Sequence, residues 1–367
     1  MLPPSASGNE VPTFGIEEEF FVGDRDTGRL RHDVDAIRSR ALETVDAGVD
    51  RELRTAMLEI GTAVCHDRAQ ARRDLERRRE AIRAAAAEVD AEVLATSTHP
   101  IAVAETVDYT EKPRYQRLAA AFGQLADEAL VCGCHVHVRV ASPEQGVAVI
   151  DHIRPWLAPL IALSANSPYW EGRDTGYDSW RHQVWSRWPT AGPTSVFGSL
   201  EQYDGTADAL IASGAAIDRG MLYFPARLSE RWPTVEIRVA DVCLDVEDAL
   251  LIGVLVRGLV MTAVADIERN PPAASVELLR AAAFVASRSG LRDQLLDPMN
   301  GWRPAPAEAV IKDLITRVTV ALDSTGDLEF ARDGVDRLLS HGNGATRQRA
   351  AWELGGEDGV RDLVRLD

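Results

Sequence analysis

The sequence is poor in lysine, in cysteine and in long apolar runs, and each shortage excludes a class of protein. Only two of its 40 basic residues are lysines, Lys112 and Lys312. Neither follows the glycine pattern of a Walker phosphate loop, so a phosphate site here must use arginine, metal ions or backbone groups. Four cysteines among 367 residues are too few for a disulfide framework, and we expect a reduced, cytoplasmic protein.

The apolar and charge patterns also exclude membranes and nucleic acids as partners. The most apolar run, residues 249–265, is interrupted by Gly253 and Arg257 and is short for a bilayer, which favours a buried helix. The first residues lack the charged and apolar regions of a signal peptide. A formal net charge of −17 repels polyanions and anionic membrane surfaces.

Strand and helix patterns are interspersed along the chain. Residues 1–12 read as a flexible lead and 13–367 as a single domain. Alternating strands are predicted at 14–22, 130–140 and 234–241, and an amphipathic helix at 67–93 whose arginine run, 72–79, we expect to be solvated. Another helix should begin after Ser142, and prolines 155 and 159 should divide it. This order favours an α+β fold, an antiparallel sheet backed by helices.

Residues 166–198 combine six tyrosines and tryptophans with glycines and prolines and show no clean period. A loop of this length inside a compact chain is usually a lid or a binding loop. We therefore take 166–198 as a candidate lid.

Three consecutive glutamates on the first strand are the first sign of chemistry. Side chains two apart on a strand share a face, so Glu17 and Glu19 point together and Glu18 points away. An edge strand with solvated glutamates is the alternative. Glu59, between Leu58 and Ile60, lies where a free carboxylate would be costly to bury.

Two more strands repeat the pattern. His135 and His137 share one face, and Glu236 and Arg238 share another. A plain polar face for the histidines and a structural ion pair for Glu236 and Arg238 remain alternatives. Cys132 and Cys134 have the opposite parity to the histidines, which argues against a zinc site, whereas several glutamates with one or two histidines suit Mg²⁺ or Mn²⁺.

Together these segments resemble the type 2 glutamate–cysteine ligase family, also called carboxylate–amine ligases. The resemblance covers about residues 13–350 and rests on eight motifs in the family's order. They are Gly15-Ile-Glu-Glu-Glu-Phe20, Glu52 with Met57-Leu-Glu59 and Gly61-Thr62, Thr98-His99-Pro100, Arg114-Tyr-Gln116, Gly133-Cys-His-Val-His-Val138, Leu163-Ser-Ala-Asn-Ser-Pro-Tyr169, Trp185-Ser-Arg-Trp-Pro189 and Val235-Glu-Ile-Arg-Val239.

The resemblance implies a single catalytic domain with a glutamine-synthetase-like fold, in which a curved antiparallel sheet carries helices on its outer face. ATP would activate a carboxylate as an acyl phosphate, which an amine would convert to an amide. The implied metal ligands for Mg²⁺, or Mn²⁺, are Glu17, Glu19, Glu52, Glu59, His135 and Glu236, with Glu17 and Glu19 thereby binding the nucleotide. Arg238 would reach the γ-phosphoryl group and, with Glu236, form the catalytic pair.

The default substrates are L-glutamate and L-cysteine. The alternatives are the same ligase chemistry with a different amine or carboxylate, and a metal-dependent phosphotransferase or hydrolase.

His137 and Trp185 would face substrate. Carboxylate clamps are expected from the lid at Arg173, Arg181 and Arg187, and nucleotide contacts from Arg347 and Arg349; for each, a surface salt bridge or mobile helix end is the alternative. Small-molecule substrates and a homodimer are the expected partners.

Overall fold

The computed structural model describes residues 11–32, 34–102 and 107–366. Most of the predicted flexible lead, residues 1–12, lies outside these ranges. Within these ranges the chain forms eleven strands: β1 (Phe14–Asp24), β2 (Val49–Arg51), β3 (Met57–Gly61), β4 (Ala91–Leu94), β5 (Gly133–Arg139), β6 (Tyr169–Trp170), β7 (Arg173–Asp174), β8 (Ala226–Leu228), β9 (Thr234–Asp241), β10 (Gln294–Asp297) and β11 (Arg303–Pro306).

Thirteen α-helices accompany the strands in the described part of the chain. They are α1 (Val34–Ala41), α2 (Arg68–Ala87), α3 (Pro113–Phe122), α4 (Gln124–Asp127), α5 (Pro143–Ile153), α6 (Leu157–Ser164), α7 (Trp180–Trp185), α8 (Leu200–Ala212), α9 (Val246–Ala265), α10 (Val276–Ser289), α11 (Ala307–Thr325), α12 (Leu328–His341) and α13 (Gly344–Val364). The α+β class is confirmed.

One seven-stranded sheet organises the molecule. Its order is β2-β3-β1-β5-β9-β8, and β4 pairs with the second half of β1 on the side where β5 pairs with the first half. Every pairing in it is antiparallel. The strand β1 is therefore central: β3 pairs with its residues 17–21 on one edge, and β5 and β4 pair with residues 14–18 and 21–24 on the other.

The apolar helix α9 packs on the sheet face that carries Ile16. A Cβ at Gly253 would lie 2.7 Å from the Ile16 side chain, so glycine is needed for this close approach. Residues 143–164 and α9 are long and apolar enough to cross a membrane, but they are 94% and 78% buried within the protein. Both are core helices, as expected for 249–265.

The predicted helix start after Ser142 is confirmed, whereas the predicted exposure of the arginine run 72–79 is wrong in part. The Ser142 side chain caps α5 by accepting from the Gln145 N–H, and the chain changes to a 3-10 turn at Pro155 before α6. Arg78 and Arg79 are buried, contrary to the expected solvated face. Arg79 crosses from α2 to the sheet and binds Glu18, which explains its burial.

The segment 166–198 is more regular than its sequence predicts. It contains the β6–β7 hairpin and α7, and Trp188 is fully buried. Its role as a lid stays a prediction. The small β10–β11 hairpin lies outside the strands that the sequence predicts.

Candidate active site

The polar face of the central sheet gathers the residues that strand parity had placed together. Across β1 and its neighbours, Glu17 lies opposite His135 and Glu19 lies opposite Glu59. On the next strand pair, His137 lies opposite Glu236. Neighbouring strands present these side chains to one cleft because successive residues on a strand alternate between faces.

The first ligand cluster consists of Glu17, His135 and Glu236, whose potential ligand atoms lie within 4.8 Å of one another. Burial, followed by the charge of Arg238, lowers the pKa of His135 to about 3, so its imidazole is neutral. Its Nε2 is buried without a hydrogen-bond partner. A neutral imidazole with an unused ring nitrogen beside two carboxylates is suited to a metal ion.

The second cluster consists of Glu19, Glu52 and Glu59, again with potential ligand oxygens within 4.8 Å. Burial and the nearby Glu52 raise the pKa of Glu19 to about 7, and the same two causes raise that of Glu59 well above its usual range. The Gly133 N–H donates to Glu19 at 2.6 Å. Three crowded carboxylates, whose charge Arg181 and Arg238 offset only in part, fit hard divalent cations such as Mg²⁺.

Glu17 and Glu236 differ from the second cluster because basic groups surround them. Burial opposes ionisation of Glu17, but the adjacent imidazoles of His135 and His137, 3.7 and 3.4 Å away, hold its pKa well below the ordinary value. Burial likewise opposes ionisation of Glu236, and Arg238 and Arg227 reverse the effect and lower its pKa. Both carboxylates are therefore anionic at neutral pH.

Two arginines hold Glu236. Arg238 donates to it, and Arg227 on β8 binds it through Nε at 2.7 Å and Nη2 at 3.2 Å. The Nε of Arg238 is buried without a hydrogen-bond partner. One donor of this fixed positive charge thus remains for an anion in the cleft.

The clusters lie in a cleft of about 570 Å³. His137 and Trp185, expected to face substrate, both line it. His137 is within 3.4 Å of Glu17 through Nε2 and contacts Thr234 through Nδ1.

Four predicted arginines do not reach the cleft lining. Arg173 is exposed on β7, and Arg187 pairs with Glu128. On α13, Arg347 binds Asp245 and Arg349 binds Asp174 and Asp178, so acidic groups outside the cleft lining pair with both guanidinium groups. The substrate and nucleotide contacts expected from these four residues stay predictions.

Arg181, in contrast, does line the cleft, and so do several groups that the sequence reasoning missed. These missed residues include Arg114, Arg227, Arg231, Tyr115, Tyr223 and Trp232. For Arg227 the pairing of β8 with β9 was the available signal, since it lies directly opposite Glu236. The others come from loops and helices whose position no strand pattern fixes.

Comparisons with known proteins agree with this geometry. The model of glutamate–cysteine ligase family 2 matches residues 13–364. A protein of Streptomyces avermitilis with the provisional name glutamate–cysteine ligase 2-1 is 46% identical over 96% of this chain and 98% of its own length. A provisionally named glutamate–cysteine ligase 2 of Streptomyces coelicolor is also 46% identical, over 92% of this chain and 93% of its own.

Solved structures show the same fold at low identity. A glutamate–cysteine ligase of Francisella tularensis in complex with AMP superposes with a TM-score of 0.70 at 12% identity, over 97% of this chain and 88% of the other. A bifunctional glutathione synthetase of Pasteurella multocida gives 0.70 at 16% identity, over 96% of this chain and 52% of the other. The chain therefore belongs to glutamate–cysteine ligase family 2, which makes it an ATP-dependent ligase that forms a carbon–nitrogen bond.

Proposed function

We propose that this enzyme joins a small-molecule carboxylate to an amine through an acyl phosphate, with L-glutamate and L-cysteine as the default pair. The observation that carries the proposal is the presence of two acidic clusters side by side on one sheet face, next to an arginine with an unused donor. The names of the relatives support the default pair.

The donor set fits divalent cations. Glu17, His135 and Glu236 would hold one ion, and Glu19, Glu52 and Glu59 would hold another. Bound Mg²⁺ would supply positive charge to the phosphate oxygens of ATP, reducing their repulsion of an anionic nucleophile. Mn²⁺ has similar ligand preferences and is a reasonable substitute.

The protein's own groups then position the reactants. An oxygen of the donor carboxylate attacks the γ-phosphorus, and the bond to the bridging oxygen breaks to release ADP. Arg238 keeps its charge at all physiological pH values, and its Nε, which is buried without a hydrogen-bond partner, would donate to the transferring phosphoryl group.

In the second step the amine nitrogen attacks the acyl carbon, loses a proton and displaces phosphate. Water competes with the amine for the acyl phosphate, so the cleft must exclude it. Trp185, Trp188 and Tyr223 line the cleft and pack against one another, with ring centroids 4.5–6.4 Å apart, and would supply an apolar surface against water there.

The test is ADP and phosphate release with a panel of carboxylates and amines, combined with mass spectrometry of the product. We expect turnover that depends on both substrates and yields an amide. Glu236→Gln should abolish it, while Glu76→Gln on the exposed side of α2 should not. Phosphate release independent of any amine, without an amide, would favour a phosphotransferase or hydrolase instead. Turnover that cysteine does not stimulate would redirect the search to another amine.

A further inference from the structure

A separate pocket of about 250 Å³ lies outside the catalytic cleft, and among the described residues the two share no lining side chain. Four stretches of chain meet there: the end of α5 with the 3-10 turn after it, the loop that follows α9, the turn between β10 and β11, and α11. Proline rings have few alternative conformations, so walls rich in proline are largely preformed, which lowers the entropic cost of binding. The apolar walls of this pocket consist of Trp156, Trp302, Met299, Pro155, Pro272 and Pro298.

The backbone at Trp302 is strained, although this residue carries a large side chain. Its φ of 63° lies in the left-handed region, and so does that of Gly301 at 62°. Residues with a Cβ avoid this region, and those that adopt it cluster at functional sites where the surrounding structure holds them. The Trp302 N–H donates to the Asp297 carbonyl at 2.8 Å, and the Asp297 carboxylate accepts the Met299 N–H at 2.8 Å. The turn is therefore fixed in the conformation that brings the indole to the pocket.

The charged side chains that line the pocket leave one positive charge unmatched. Asp266 binds Arg269 through Oδ1 at 2.8 Å and Arg317 through Oδ2 at 2.6 Å, so one carboxylate serves two guanidinium groups. Burial lowers the pKa of His152 although Asp266 opposes this, and its imidazole adds no charge at neutral pH. The Arg269 side chain is 78% exposed, so its guanidinium is accessible to a further partner. Since a guanidinium offers several donors in one plane, an anion at this edge of the pocket would find both charge and hydrogen bonds.

We propose that this pocket binds a small aromatic carboxylate, with its ring against Trp302 and its carboxylate at Arg269. Aromatic rings pack favourably on indole, and a guanidinium matches a carboxylate through two parallel hydrogen bonds. Pockets for drug-sized ligands have volumes of about 300–1,000 Å³, so this smaller pocket fits a ligand with a single ring. The proposal does not depend on which carboxylate and amine the ligase joins, because the pocket is separate from the cleft.

The experiment titrates the full chain, by calorimetry, with three probes that share a ring and differ in charge. They are phenylacetate, the neutral phenylacetamide and the cationic 2-phenylethylamine. We expect phenylacetate to bind with a Kd below about 1 mM, as is usual for a ligand of about ten non-hydrogen atoms in a preformed pocket. It should bind about tenfold more tightly than phenylacetamide, because its hydrogen bonds are charged, and the amine should bind most weakly. Equal affinity for the three probes, or a Kd for phenylacetate above about 10 mM, would overturn the proposal.

Matched variants test the two groups that the proposal names. Trp302→Gly suits the left-handed backbone and removes the ring, so it should weaken phenylacetate binding at least about tenfold, whereas Trp302→Phe should stay within about threefold of the wild type. Arg269→Ala should abolish the preference for phenylacetate over phenylacetamide, and Arg332→Ala, at an exposed site on α12, should leave it unchanged. Unchanged affinity in Trp302→Gly, or an unchanged preference in Arg269→Ala, would contradict the proposed contacts.

Competition separates this pocket from the catalytic cleft. Saturation with Mg²⁺ and a non-hydrolysable ATP analogue should leave the Kd for phenylacetate unchanged, and so should Glu236→Gln in the cleft. Displacement of phenylacetate by the analogue, or loss of its binding in Glu236→Gln, would place the probe in the cleft and overturn the proposal. Because the readout is binding alone, a failure to form an amide would contradict the proposed function and leave this result standing.

Discussion

Glu18 and Glu19 are neighbours in sequence, but the protein treats their charges in opposite ways. Glu18 is fully buried on the helix side of the sheet and binds Arg79 through two hydrogen bonds of 2.5 and 2.9 Å. Glu19 lies on the cleft side, where it accepts one backbone N–H and faces Glu52 and Glu59. The fold thus neutralises one carboxylate itself and leaves the other for a cation to neutralise.

This contrast separates structural from functional charge on a single strand. The Glu18–Arg79 pair ties α2 to the sheet, and Arg79 also donates to the Cys243 and Leu244 carbonyls. In the second cluster the carboxylates disfavour one another's ionisation, since Glu52 raises the pKa of both Glu19 and Glu59. Mutations on the two faces should therefore act on different properties.

The largest expected effect on stability is that of Glu18→Gln. It leaves Arg79 buried with its charge uncompensated, which costs about 3–5 kcal/mol of unfolding free energy. Urea unfolding of the metal-free protein measures this loss of unfolding free energy. The double variant Glu18→Gln/Arg79→Met should recover much of the loss, and a single-variant loss below about 1 kcal/mol would show that the pair is not structural.

Glu19→Gln should act on turnover instead. Removing one ligand from the second cluster weakens metal-assisted charge stabilisation, and we expect about a 100- to 1000-fold loss of kcat/KM for ATP. The unfolding free energy of the metal-free variant should be unchanged or slightly higher, since one repelling charge is gone. A large loss of metal-free stability would instead make Glu19 a structural residue.

The pH dependence of stability sharpens the same contrast. The pKa of Glu19 is raised to about 7 by burial and Glu52, so the folded protein binds a proton that the unfolded chain releases above about pH 4.5. The stability that the raised pKa of Glu19 contributes is fully present below about pH 4.5 and is lost as the pH rises through 7. Between pH 5.5 and 8 in EDTA, the unfolding free energy of the wild type should fall by about 2 kcal/mol, a change that Glu19→Gln should not show. Parallel pH curves for the two proteins would contradict this.

The smallest effect is expected for Arg77→Ala. Arg77 lies two residues from Arg79 on α2, but it is half exposed and pairs with Asp74 at the surface. Exposed pairs contribute about 0–1 kcal/mol, so unfolding and turnover should both stay near the wild-type values. A loss comparable with that of Glu18→Gln would mean that exposure does not decide which arginines on α2 matter.

The sequence predicts a site residue wherever the alternation of side chains along a strand determines the face on which that residue lies. Alternation along each strand placed Glu17 with Glu19, His135 with His137 and Glu236 with Arg238, and the structure brings these three pairs into one cleft. Glu52 was harder, because its position depends on the turn between β2 and β3, and its assignment came from the resemblance alone.

Arginines showed the limit of such reasoning. Their long side chains take partners set by tertiary packing, so proximity in sequence to an aromatic segment did not identify which ones reach the cleft. Of the three lid arginines only Arg181 does, and Arg347 and Arg349 bind acidic groups elsewhere. Arg79, expected in solvent, is the buried partner of Glu18.

The most direct test of the central claim is a crystal structure with Mn²⁺ and a non-hydrolysable ATP analogue, with metal positions taken from anomalous scattering. The account predicts ions coordinated at about 2.0–2.3 Å by Glu17, His135 and Glu236 and by Glu19, Glu52 and Glu59. The phosphates should lie between these ions and Arg238. Metals bound away from both clusters, with Glu19 still facing Glu59 without a cation, would contradict it.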